Sequence, residues 1–200
     1  MDPVVGARPF RLIVGISGAS GVIYGIRLLE LLQPISGVET HVILTAAARQ
    51  TIPLETDWDP KEVEALADVS YRTGDIAAAI SSGSFPVDAM AVVPCSMGTL
   101  SAITSSASDN LLERAADVTL KEHRRLVLVP RESPLHLGHL RLLVAVAEMG
   151  AIVCPPMPAF YTRPESVGAI VDQTVSRVLD LLGIDPGRSL APRWTGPSRG

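Results

Sequence analysis

Leu12-Ile13-Val14 is a continuously apolar run, and beyond it apolar residues recur at Ile23, Ile26, Leu28, Leu29 and Leu32. A short unbroken apolar run fits a strand buried on both faces, and three-to-four spacing fits a helix with one buried face. Between them stands Gly15-Ile16-Ser17-Gly18-Ala19-Ser20-Gly21, so the chain opens as a strand, a glycine-rich turn and a helix. The same alternation continues. Thr40 to Leu44 reads as a second, β-branched strand. Asp59-Pro60-Lys61-Glu62 opens a helix running to about Ala67, with Asp59 as N-cap, Pro60 at its first position and Glu62 closing a capping box. Ala89 to Val93 is a buried strand followed by the polar loop Pro94 to Thr99. A helix over Asn110 to Lys121, a strand over Arg125 to Val129, a helix from Ser133-Pro134 ending before Gly150 and a strand over Ala151 to Cys154 come next. The series closes with Ser166 to Leu182, whose apolar positions Val167, Ile170, Val171, Val175, Val178 and Leu181 mark an amphipathic helix capped by Gly183.

Strands alternating with helices predict an α/β fold, a Rossmann-like open parallel sheet with helices on both faces. Ligands of such sheets sit in the crevice beyond the carboxyl ends of the strands. Residues 10–184 form one domain in this reading. Residues 1–9 are a flexible N-terminus, and 185–200 are a Pro/Gly-rich tail that Trp194 is expected to anchor on a neighbouring subunit.

Composition sharpens the picture in three places. A chain of 200 residues with 47% hydrophobic residues and a mean hydropathy of +0.31 is apolar for its size, so a homo-oligomer that hides part of the surface is expected. The formal charge of -4 argues against nucleic acid as a partner. Cys95 and Cys154 propose no disulfide framework, the first residues lack an apolar signal core, and Pro94 with its Ser and Thr neighbours breaks the charge-free stretch Ala89 to Ser108. The expectation is a cytoplasmic protein without a membrane span.

The candidate chemistry gathers at the strand ends. The turn Gly15 to Gly21 brings backbone amides to the positive end of a helix, which suits a phosphate, although such turns also use glycine for geometry alone. It is not the dinucleotide fingerprint, because Ile16 stands where that motif needs its first glycine, and Thr45 cannot replace the ribose-binding carboxylate. Arg131-Glu132, after a central strand, offers a cation for an anion and a carboxylate for protons, or else a surface ion pair. Arg114 and Lys121 are phosphate candidates, whereas Arg124 and Arg125 read as answering a helix dipole. His136 and His139 have no third ligand nearby, so no metal is expected, and Cys95 reads as an inert buried thiol.

Taken together, Gly18-Ala19-Ser20-Gly21, Glu55-Thr56, Ser81 to Phe85, Pro94 to Leu100, Asp109 to Val118, Leu128 to Glu132 and Pro155 to Tyr161 resemble the UbiX-type flavin prenyltransferases, a family that extends to components of phenolic acid decarboxylase clusters. The likeness runs from about Arg11 to Trp194. It implies a flavoprotein-type fold and an enzyme that joins the dimethylallyl group of dimethylallyl phosphate to N5 and C6 of reduced FMN without a metal. It also implies a UbiD-type decarboxylase as acceptor of the prenylated FMN, and a dodecamer. Carried over position by position, Gly18, Ala19, Ser20, Thr45, Ser96, Met97, Gly98, Thr99 and Arg131 hold FMN. Glu55, Arg114, Lys121, Tyr161 and Arg177 surround the prenyl phosphate, and Ser20 and Glu132 manage protons, with Glu55 and Lys121 counted among the catalytic groups. Several relatives place a tryptophan over the prenyl group where this chain has Asp75-Ile76-Ala77. Two other readings are a non-catalytic flavin subunit of a decarboxylase complex and a flavin-dependent cysteine decarboxylase. The latter group's histidine base and Asn-rich loop are not seen at Pro94 to Thr99.

Overall fold

The computed structural model describes residues 8–194 and 196. Six strands, β1 (Phe10–Ile16), β2 (Val38–Leu44), β3 (Val69–Tyr71), β4 (Ala89–Cys95), β5 (Arg125–Pro130) and β6 (Ile152–Val153), form one sheet in the order β3-β2-β1-β4-β5-β6. Each neighbouring pair is parallel. The connecting helices are α1 (Val22–Leu32), α2 (Ala46–Glu55), α3 (Pro60–Ala65), α4 (Met97–Thr104), α5 (Leu111–Lys121), α6 (Leu137–Glu148) and α7 (Val167–Leu182).

Because side chains alternate across a strand, each central strand feeds two cores. Leu12, Val14, Val42, Ala91 and Val129 pack with Ile26 and Leu29 of α1 and Val175 and Val178 of α7. Ile13, Ile43, Met90, Val92 and Leu128 point the other way, to Leu100 of α4, Leu112 and Ala115 of α5 and Val146 of α6. The expected α/β architecture with helices on both faces is therefore present. The chain runs outward from β1 to β3 and then returns to lay β4 on the other side of β1. That reversal opens a crevice at the carboxyl ends of β1 and β4.

Several boundaries differ from the sequence expectation, each for a local reason. Residues 97–99 are not loop: the Ser96 side chain accepts the Thr99 amide and starts α4. Helix α2 went unread because only Ala48 and Ile52 of its ten residues are buried and Pro53 lies inside it. The three-residue edge strand β3 is too short to leave a pattern. The N-cap of α6 is His136, not Ser133, and α3 ends at Ala65. The Asp59 capping box and the left-handed Gly183 cap stand as read. Arg124 does not answer a helix dipole; it donates to Gly83 O at 2.7 Å and Phe85 O at 3.1 Å.

Of the expected flexible N-terminus, residues 1–7 lie outside the described residues, while Arg8 makes a two-pronged pair with Asp88 at 2.5 and 2.8 Å. Of the expected tail, 195 and 197–200 lie outside, and 185–194 run along α7 of the same copy. Among the described residues no helix is long and apolar enough to cross a membrane, and no three His, Cys, Asp or Glu residues are grouped as a metal site.

Candidate functional site

The crevice is assembled by one buried hydroxyl. Ser17, fully buried after β1, donates from Oγ to Pro94 O at 2.9 Å and accepts the Ser96 amide at 2.7 Å. Its own amide donates to Pro94 O at 3.2 Å, and the Arg131 amide donates to Cys95 O at 3.2 Å. The turns after β1, β4 and β5 are thus tied edge to edge, which brings together Gly18, Ala19, Ser20, Ser96, Met97, Gly98, Thr99, Arg131 and Glu132. Thr45 joins them through its amide, which donates to Ile16 O at 3.0 Å. Sequence reasoning passed over Ser17; its place beside Gly18 at a strand end was the available signal.

Two hydroxyls in this set also have local duties. Thr45 Oγ1 accepts the Ala48 amide and starts α2, and Ser96 Oγ accepts the Thr99 amide while donating to Thr99 Oγ1 at 3.0 Å. Gly18 is required by packing, since a Cβ there would come within 2.2 Å of Ala47 Cβ. Gly98 is different. A Cβ there would meet nothing nearer than Ser96 Oγ at 4.0 Å, so the chain's own packing does not demand glycine in the first turn of α4. A glycine that costs helix propensity and fills no internal constraint leaves room for a ligand against the backbone amides. Arg131 is exposed nearby and has no ion pair among the described residues. An anionic, planar, hydrogen-bonding group such as a flavin phosphate and ring fits this donor set.

The amino end of α1 is not free in the way the glycine turn suggests. Glu55 Oε2 accepts the Gly21 amide at 2.7 Å and the Val22 amide at 3.3 Å. A carboxylate thus satisfies the helix end that a phosphate was expected to meet, and Glu55 fixes the loop carrying Ser20. Glu132 is exposed and, among the described residues, accepts only the neighbouring Ser133 amide, at 2.9 Å.

The remaining candidates are Lys121, Arg114, Tyr161 and Arg177. Lys121 ends α5 beside Gly83, at the amino edge of the sheet, and pairs with Glu122 at 2.7 Å. Strand β4 has seven residues, so that edge is roughly 20 Å from the crevice. Arg114 holds Ser81 O at 3.1 Å and Asp117 at 2.9 Å. Tyr161 and Arg177 line a cavity of about 380 Å³ with Gln173, Asp180, Arg193 and Trp194, and no crevice residue reaches it. Larger cavities of about 580 and 630 Å³, beside α7 and at the amino edge of the sheet, hold none of the candidates. One copy therefore gathers the flavin candidates together with Glu55, and leaves Lys121 at the opposite edge of the sheet.

The cysteines are not poised for reaction. Burial pushes the Cys95 thiol up to about 12 and raises Cys154 as well. His136 caps α6 by accepting the Gly138 amide at 3.0 Å, and its ring lies 3.6 Å from that of His139, tilted by 32°.

The open parallel sheet with a crevice at its point of reversal is an α/β flavoprotein fold, and the family described as Flavoprotein matches residues 5–179. The chain is 58% identical over 186 residues to the flavin prenyltransferase UbiX of Escherichia coli strain K12, covering 93% of this chain and 98% of that one. Its fold superposes on a crystal structure of AnUbiX (PadA1) in complex with FMN and dimethylallyl pyrophosphate with a TM-score of 0.92, at 48% identity over 96% of this chain and 100% of that one. A dodecameric FMN-dependent UbiX-like decarboxylase from Escherichia coli O157:H7 superposes with a TM-score of 0.91, at 50% identity over 94% of this chain and 100% of that one. The chain belongs to the UbiX-type flavin prenyltransferases.

Proposed function

We propose that the chain is a metal-independent flavin prenyltransferase that joins the dimethylallyl group of dimethylallyl phosphate to N5 and C6 of reduced FMN. The prenylated FMN then serves a UbiD-type decarboxylase. The observation that carries this reading is the 58% identity across 93% of the chain to a flavin prenyltransferase. The crevice chemistry agrees with it. Bound there, the reduced flavin supplies the nucleophilic nitrogen and ring carbon. Gly98 and Met97 present the start of α4, Arg131 supplies a cation, and Thr45, Ser96 and Thr99 line the polar wall. Ser20 and Glu132, both exposed at the crevice, hold and move protons.

The donor loses phosphate as its allylic carbon–oxygen bond breaks, and cations with a phenol stabilise the departing charge without a metal. Arg114, Lys121, Arg177 and Tyr161 supply that clamp. Because Lys121 lies a strand length from the crevice of its own copy, a second copy must bring it there, so the working site lies between subunits. The outer face of α6 offers a surface for such assembly: Leu137, Leu140 and Val144 are 60%, 47% and 58% exposed. A dodecamer is the assembly we assign. Both cysteines are free thiols, which supports a reducing cytoplasmic setting.

The experiment that separates an enzyme from a flavin carrier follows phosphate. Incubated anaerobically with reduced FMN and dimethylallyl phosphate, the enzyme releases one inorganic phosphate per flavin consumed. A carrier binds FMN and releases none.

A further inference from the structure

Arg177 shares its carboxylate with a residue of the C-terminal segment. Arg193 donates to Asp180 from Nη2 at 2.7 Å and from Nη1 at 3.3 Å, whereas Arg177 Nη1 stays 3.8 Å from the same carboxylate. Arg177 and Asp180 are three apart on α7 with the cation on the amino-terminal side, the weaker order for a helical ion pair, so Arg193 wins the competition. The next residue, Trp194, meets the Tyr161 ring edge to face at 5.5 Å. Tyr161, Arg177, Asp180, Arg193 and Trp194 all line the one cavity.

Exposed ion pairs contribute little to stability, and the Arg193 side chain is 70% exposed. What the pair changes is charge. With Asp180 hydrogen-bonded by Arg193, the Arg177 guanidinium stays at the longer 3.8 Å ion-pair distance and keeps its donors for an anion. Without Arg193, Asp180 is free to close on Arg177 and neutralise it.

We propose that Arg193 is a positioning residue for the prenyl-phosphate subsite, keeping Asp180 out of hydrogen-bond contact with Arg177 so that Arg177 takes the donor phosphate, while Trp194 steadies Tyr161. This rests on the reading that Arg177 binds that phosphate.

The test is a set of four variants of the intact oligomer, assayed with reduced FMN and dimethylallyl phosphate. Arg193→Ala raises KM for the donor by about tenfold, the scale of one charge-assisted bond, with kcat within about twofold. Asp180→Asn weakens the same tail contact to a neutral hydrogen bond and removes the competing charge, so its KM stays within about twofold of the parent. The double variant Arg193→Ala/Asp180→Asn returns to the Asp180→Asn value. A KM raised equally in Asp180→Asn, Arg193→Ala and the double variant means that the tail contact itself matters, which overturns the proposal. An unchanged KM in Arg193→Ala overturns it too. Arg177→Ala checks the underlying reading on its own: if it leaves KM unchanged, Arg177 does not hold the phosphate, whatever Arg193 does.

Discussion

Ser17 Oγ takes the Ser96 amide at 2.7 Å and gives its proton to Pro94 O at 2.9 Å, so one hydroxyl fastens the turn after β1 to the turn after β4. Ser17→Ala leaves the part-buried Ser96 amide without that partner, at a cost of about 1 kcal/mol. Denaturant unfolding should show that loss. FMN titration should show weaker binding, since the two walls of the crevice are then joined less tightly, by the Ser17 amide and the strand pairing alone. Unchanged stability and unchanged affinity together contradict the role assigned to Ser17.

Glu55 closes the α1 end through the Gly21 and Val22 amides. Replacing Glu55 with Ala should cost about 1 kcal/mol, as loss of a helix cap does, and should speed amide exchange at residues 18–22. Glu55→Gln keeps an acceptor oxygen in place and should restore the protection. Exchange that is the same in all three proteins would leave Glu55 without a structural task at the loop.

The chain's alternation made the architecture legible, because strands buried on both faces and amphipathic helices such as α7 write their burial into the sequence. The turns that line the crevice were legible where a glycine or a hydroxyl stands at a strand end, as at Ser96 and Gly98. What was not legible depends on the third dimension. Glu55 is separated from Gly21 by 34 residues, and nothing local to either shows that they meet. Likewise the phosphate candidates form one set along the chain, yet Lys121 sits at the far edge of the sheet from Ser20. The low burial of α2 hid a helix whose main task is to present Thr45 and Glu55.

Arg131 and Glu132 are adjacent but should fail in different ways. Arg131→Ala should weaken FMN binding about tenfold or more, the scale of a charge-assisted bond. Glu132→Gln should keep FMN bound and slow formation of the four-ring product by about a hundredfold, the usual scale for a lost general base. Equilibrium flavin titration and single-turnover kinetics separate the two. Loss of FMN in Glu132→Gln, with normal turnover in the remaining loaded protein, would make Glu132 structural.

A site shared between copies can be tested by complementation. Lys121→Ala and Ser20→Ala should each be nearly inactive as pure oligomers. Co-expressed in equal amounts, they should regain roughly one quarter of the parent activity, since random assembly leaves that share of two-chain sites intact. No recovery in verified mixed oligomers would mean that Lys121 and Ser20 serve the same copy.

His41 lies buried in β2, with Nε2 at 2.9 Å from Glu39 and Nδ1 at 3.1 Å from the Tyr71 hydroxyl. Burial holds its pKa below the ordinary 6.5, with Arg11 adding to that effect, while Glu39 and Asp68 oppose it. The unfolded chain therefore takes up a proton that the folded chain resists. This contribution to stability is whole above pH 6.5 and falls away as the pH drops towards the lowered folded value. Thermal unfolding across that window should show a decline that is shallower in His41→Gln. A steeper decline in the variant would reverse the sign of the argument.

The central claim is prenyl transfer to the flavin, and the mass of the released flavin tests it most directly. Purified chain, given reduced FMN and dimethylallyl phosphate or pyrophosphate without added divalent metal under strict anaerobiosis, should yield a flavin heavier by one five-carbon prenyl unit. Recovery of only unmodified FMN with both donors, from protein that binds FMN, would contradict the account.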